Sequence, residues 1–93
     1  MHYVLITHEV DDYAAWKQGF DAAADRRKRA GELSFQVLRD EADANRVVHF
    51  SRWSSLAAAK QFFESAEVAQ IRADLGVRDP DFLYLDELES GQL

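Results

Sequence analysis

Near Tyr13 the chain changes from a strand-like to a helix-like spacing of its apolar residues, and it makes the same change again after Trp53. Tyr3 to Glu9 is rich in β-forming residues and reads as a strand. From there Tyr13, Trp16, Phe20, Ala23, Ala24 and Arg27 recur at i, i+3, i+7, i+10, i+11 and i+14, one face of a long helix. An aspartate of Asp11-Asp12 can cap its start, and Gly31 suits the left-handed position beyond its end. Leu33 to Arg39 and Arg46 to Trp53 read as two strands joined by the polar turn Asp40 to Asn45, which makes a hairpin. Ser54 or Ser55 can cap a second helix, with Leu56, Ala59, Phe62 and Phe63 on its inner side. Glu64-Ser65 breaks or bends that helix, and Val68, Ile71 and Leu75 carry the stripe on to Gly76. Val77 to Asp81 reads as a loop around Pro80, Phe82 to Leu88 as the last strand, and residues 89–93 as a tail.

The order β-α-β-β-α-β is the split βαβ arrangement of a ferredoxin-like α+β fold, and residues 1–93 are expected to form one domain. Right-handed crossovers give an antiparallel sheet of order 4-1-3-2 with both helices on one face. The other face must meet water or a partner. Strand 1 offers Tyr3, Leu5 and Thr7 on one side and Val4, Ile6 and His8 on the other; strand 4 offers Leu83 and Leu85 against Phe82, Tyr84 and Asp86. Both faces are substantially apolar, so the economical solution is a homodimer packed sheet against sheet. Length argues the same way, because a domain of 93 residues buries only about two-thirds of its unfolded surface.

Charge removes several function classes. With 17 acidic and 11 basic side chains the formal charge is -6, which argues against a nucleic-acid partner and against an anionic membrane surface. There is no cysteine, so disulfides, thiolate zinc sites and cysteine nucleophiles are excluded. The opening apolar run is too short to span a bilayer and lacks the basic flank of a signal peptide, so a cytoplasmic location is expected.

Three stretches carry a resemblance: Val10-Asp11-Asp12-Tyr13-Ala14-Ala15-Trp16-Lys17 running to Phe20-Asp21, then Arg39 to Val47, then Trp53-Ser54-Ser55-Leu56-Ala57-Ala58-Ala59. Across roughly residues 2 to 88 the chain resembles the dimeric α/β-barrel superfamily, and within it the small bacterial proteins similar to antibiotic-biosynthesis monooxygenases and to cyclases. The resemblance is specific for the fold and poorly specific for chemistry. It implies a homodimer in which each protomer keeps a pocket between sheet and helices. Members of the superfamily include cofactor-free oxygenases, haem-degrading oxygenases, lactone isomerases and stress-response proteins.

Two function classes follow. One is a small-molecule-binding homodimer with a monooxygenase- or cyclase-like activity that needs no metal, flavin or other cofactor and acts on an aromatic or apolar compound. That chemistry calls for a dry pocket, aromatic walls, and a donor or cation near the developing oxyanion. The other is a non-catalytic homodimer with a structural, stress-response or regulatory role. The catalytic candidates are His8, His49 and Arg39; Arg52 is a further source of charge. Strands 1 and 3 are neighbours, so His8 and His49 can lie close together; each is equally readable as a hydrogen-bonded histidine on a half-buried face. Tyr84, Trp53 and Phe35 are the ligand-binding candidates, and Tyr84 and Trp53 each carry a polar handle that needs a partner when buried. Trp16 and Phe20, on the helical stripe, read as core.

Other features have plainer readings. No H-x-x-x-H or H-x-H pair exists, and a triad of two strand histidines with Asp86 is not demanded by any spacing. The Asn, Trp and His constellation of haem-degrading relatives is not reproduced, since the one asparagine, Asn45, sits in a turn. Arg26-Arg27-Lys28-Arg29 closes a helix, where cations offset the dipole. No serine lies in a G-x-S-x-G context.

Overall fold

The computed structural model of the chain describes all 93 residues. Its elements run β1 His2–Val10, α1 Tyr13–Ala22, α2 Ala24–Ala30, β2 Glu32–Asp40, β3 Asp43–Trp53, α3 Leu56–Phe63, α4 Ala66–Asp74 and β4 Val77–Asp86. The four strands form one antiparallel sheet of order β2-β3-β1-β4, the expected 4-1-3-2 read from the other edge. The fold is ferredoxin-like α+β. No helix is long and apolar enough to cross a membrane.

The first expected helix is two, and the second divides at the expected Glu64-Ser65 break. The first divides at Ala23, whose N–H is shared between the carbonyls of Gly19 and Phe20. That tightened turn redirects the chain, and Trp16, Phe20 and Arg27 all remain buried. The second divides at Ser65, which does two jobs: its hydroxyl donates to the Phe62 carbonyl at 2.8 Å and accepts from the Val68 N–H at 3.2 Å, ending α3 and capping α4. Asp12 caps α1 and Ser55, rather than Ser54, caps α3. Gly31 has φ 125°, and a Cβ there would meet the Ser54 hydroxyl.

The remaining corrections concern strand limits. β3 starts at Asp43, so the hairpin turn is only Glu41-Ala42. Val77 to Asp81 is not a loop but the first half of β4. The pairing with β1 slips there, from Thr7 opposite Asp81 to Glu9 opposite Arg78, and Asp79 has φ 49°. Pro80 is tolerated because β4 is an edge strand and the slip is a bulge, where a missing N–H costs no ladder bond. The strand ends at Asp86, not Leu88.

The register settles which residues face inward. Val4, Ile6, His8 and Val10 of β1 and Val47, His49, Ser51 and Trp53 of β3 are buried under the helices. Val4, Ile6 and Trp53 pack on Ala59 and Phe63 of α3; Val10 and Val47 pack on Trp16 and Phe20 of α1. The outer face carries Tyr3 and Leu5, Val48 and Phe50, Leu38, Leu83 and Leu85. Tyr3 and Phe50 stack at 5.1 Å there, while Leu38 and Leu83 are about half exposed.

Candidate functional site

Between sheet and helices lies a cavity of about 80 Å³, open at one side. Ile6, His8 and His49 form its floor; Trp16, Gly19, Phe20, Phe62 and Phe63 its walls; Arg72 of α4 and Leu75, just past its end, reach in from above. The Leu75 side chain packs against Gly19 of α1, and a Cβ there would push its end aside.

The two strand histidines meet here. Ile6 lies opposite His49 and His8 opposite Val47, so the imidazoles are diagonal neighbours on the helix-facing side of β1 and β3. Their surroundings differ. His8 is 6% exposed, and neither ring nitrogen finds a partner in the protein. Its ring lies 5.2 Å from Trp16, and β4 bulges away opposite it. Burial lowers its pKa to about 4, with help from His49 and Arg72, so His8 is neutral at pH 7.

His49 is held on three sides. Its Nε2 lies 2.9 Å from Glu32 Oε2, and the edge of Phe20 packs on its ring at 4.9 Å. Arg27 Nε donates to the other Glu32 oxygen at 2.8 Å. A second Arg27 nitrogen donates to the Phe20 carbonyl, and the guanidinium lies 3.7 Å from the Phe20 ring centre. Burial alone would raise the Glu32 pKa; the His49 hydrogen bond and the Arg27 ion pair outweigh it and hold the carboxyl below its usual range. An ionised Glu32 only accepts, so neutral His49 carries its proton on Nε2 and keeps Nδ1 as its basic nitrogen.

Arg72 is the other polar group on the cavity. One of its nitrogens donates to the Phe63 carbonyl at 3.0 Å, and its guanidinium lies 4.9 Å from the Phe82 ring centre. Burial lowers its pKa, opposed by Tyr84.

The remaining sequence-predicted residues lie elsewhere. Arg39 is exposed on β2 with its guanidinium over Tyr13 at 4.6 Å, outside the cavity. Trp53 is 1% exposed and donates from Nε1 to Ser51 Oγ at 2.8 Å; it is core, and its polar handle is satisfied locally. Tyr84 packs at the margin of the α3 cluster beneath Lys60, and burial raises its pKa, with Glu64 adding to the rise and Arg72 opposing it. Phe35 is half exposed and touches the site only through the back of Phe20 and His49. Asp86 is engaged by His2 at 2.7 Å at the far end of β1, away from His8. The side chains sequence reasoning missed are Glu32 and Arg72, together with the pairing of Arg27 to Glu32.

The chain is thus a split βαβ, ferredoxin-like α+β domain with a cavity between sheet and helices and an imidazole held by a buried carboxylate. The chain matches the antibiotic biosynthesis monooxygenase family over residues 2–74 and belongs to that family. No curated protein matches it. Among solved structures it is similar to SnoaB, a cofactor-independent oxygenase from Streptomyces nogalater, with TM-score 0.77 and 14% identity over 96% of this chain and 94% of that one. It is also similar to Rv0793 from Mycobacterium tuberculosis, with TM-score 0.67 and 19% identity over 99% and 100% of the two chains. A Bordetella bronchiseptica structure described as an antibiotic biosynthesis monooxygenase candidate gives TM-score 0.77 at 16% identity, covering 95% and 97%. At these identities the likeness is one of fold.

Proposed function

We propose that the protein is a cytoplasmic homodimer that binds a small aromatic compound in this cavity and oxygenates it without metal or flavin. The observation that carries the reading is the pairing of two unlike imidazoles on one aromatic-walled cavity: His49, oriented by Glu32, and His8, buried without a partner. Catalytic sites are where such perturbed groups gather.

The geometry suits proton removal from a phenol. His49 Nδ1 takes the hydroxyl proton, and Glu32 offsets the charge of the resulting imidazolium. The substrate anion, electron-rich and walled by Trp16, Phe20 and Phe63, is the reductant of oxygen: one atom of O₂ replaces a ring hydrogen to give a quinone, and the other leaves as water with the protons lost from the ring and the hydroxyl. A positioned base of this kind contributes about 10²–10⁴-fold. Support for the dimer comes from the outer sheet face, where Leu5, Phe50, Leu83 and Leu85 form a contiguous apolar surface on adjacent strands. A fold free of cysteine needs no oxidising compartment, in keeping with the cytoplasm.

The test is oxygen uptake with a panel of phenols, hydroquinones and naphthols, read together with product mass. Uptake above autoxidation, a product heavier by oxygen, and loss of both in His49→Ala support the reading. The modest cavity volume favours the non-catalytic homodimer as the second reading, which requires that no member of the panel be turned over.

A further inference from the structure

We propose that His8 and Arg72 together receive an anionic oxygen group, so that the ligand of this cavity is a single-ring aromatic carboxylate. The inference rests on the cavity being the ligand site and names the ligand's class. Four arginine and histidine side chains line the cavity: Arg27, His49, His8 and Arg72. Two are already spent. Arg27 is neutralised by Glu32 and satisfied by the Phe20 carbonyl, and the proton on His49 Nε2 goes to the same carboxylate. The other two are not. His8 has two orphaned ring nitrogens, and a buried polar atom left in this state is destabilising. Arg72 makes one bond to a backbone carbonyl and has no ion-pair partner.

A neutral imidazole beside one uncompensated guanidinium matches a single negative charge. A phosphate dianion would be left half-neutralised in an apolar hole, which is unfavourable. A carboxylate suits the pair: one oxygen accepts from the His8 ring, and the other accepts from the guanidinium. Trp16 and Phe20, whose rings stack at 5.0 Å, offer the face for an aromatic ring. The volume of about 80 Å³ is only about half the roughly 150 Å³ of an apolar cavity that takes benzene, so the carboxylate end enters and the ring lies across the open side, which leaves no room for a fused pair. The chain as a whole is acidic, at -6, so selectivity for an anion has to be local, as this pair makes it.

The experiment is calorimetric titration at pH 7 of the purified protein with benzoate and with benzyl alcohol, its neutral counterpart. We expect benzoate to bind at least ten-fold tighter, Arg72→Gln to erase that preference, and Arg72→Lys to keep part of it. His8→Phe, with Arg72 intact, should weaken benzoate more than benzyl alcohol. Equal affinity for the two compounds, or a benzoate preference that survives Arg72→Gln, overturns the anion inference and leaves the cavity as an aromatic site. Binding of neither compound overturns both.

Discussion

His49 Nε2 and Glu32 Oε2 lie 2.9 Å apart, and both side chains are 5% exposed. The carboxylate thus joins a strand imidazole to the Arg27 guanidinium on α2, closing a three-residue chain under the sheet. A buried carboxylate is stable only with such partners, and removing its charge leaves the others uncompensated.

Glu32→Gln should therefore destabilise the fold by about 3–5 kcal/mol, the usual cost of breaking a buried ion pair from one side. A domain of this size has only about 5–15 kcal/mol in total. Urea unfolding monitored by tryptophan fluorescence measures this directly; a loss below 1 kcal/mol would mean the network is spent against desolvation.

His8 makes a pH prediction of definite sign. Its native pKa, about 4, lies below the unfolded value of 6.5. Between these values the unfolded chain holds the extra proton, so stability falls as pH drops from 6.5 towards 4, by on the order of 3 kcal/mol. Glu32 acts with the same sign below its ordinary value, because its native pKa is also lowered. His8→Phe should flatten the upper part of this decline and raise stability at pH 7 by about 1–3 kcal/mol, the cost of the orphaned nitrogens. Melting temperatures at several pH values for both proteins check the slope.

His49→Gln tests chemistry against structure. Glutamine can still donate to Glu32, so the melting temperature should move little. With His49 as the base, kcat should fall about 10²–10⁴-fold. A variant with undiminished kcat would remove His49 from the mechanism.

The outer sheet face predicts assembly. Leu83 is 48% exposed beside Leu5, and a charge placed there would be buried in a sheet-to-sheet dimer. Leu83→Glu should convert a dimer to a monomer in native mass spectrometry at micromolar concentration, while Arg39→Glu, at Tyr13 on the other side of β2, should not. A wild-type monomer would leave the apolar face without cover and contradict the proposed assembly.

The fold was legible because each element announced its own period, and right-handed crossovers left one sheet order for those elements. Two misreadings were local. Pro80 signals a loop in sequence, yet an edge strand with a bulge accepts it. Ala23 lies on an unbroken helical stripe, and nothing in its side chain marks a turn. The site was half legible. His8 and His49 were paired by strand order, and the register then put both on the helix side. Arg27 occupied a position on the apolar stripe, which foretold its burial but not its partner. Glu32, at the mouth of β2, is indistinguishable in sequence from a solvated turn acid; only the path of the hairpin brings it to His49. Arg39 and Trp53 both lie on the helix-facing side yet outside the cavity lining, because position along the sheet sets what reaches a cavity and is not written in residue type.

The most direct test of the cavity as the ligand site is nuclear magnetic resonance of the protein labelled with ¹⁵N in its histidines, titrated with hydroquinone under nitrogen at pH 7. The account predicts that the ring resonances of His8 and His49 move together and saturate with one ligand per chain, while those of His2, paired with Asp86 at the far end of β1, stay in place. Saturable binding that leaves the His8 and His49 rings unmoved, or no saturable binding at all, would contradict it.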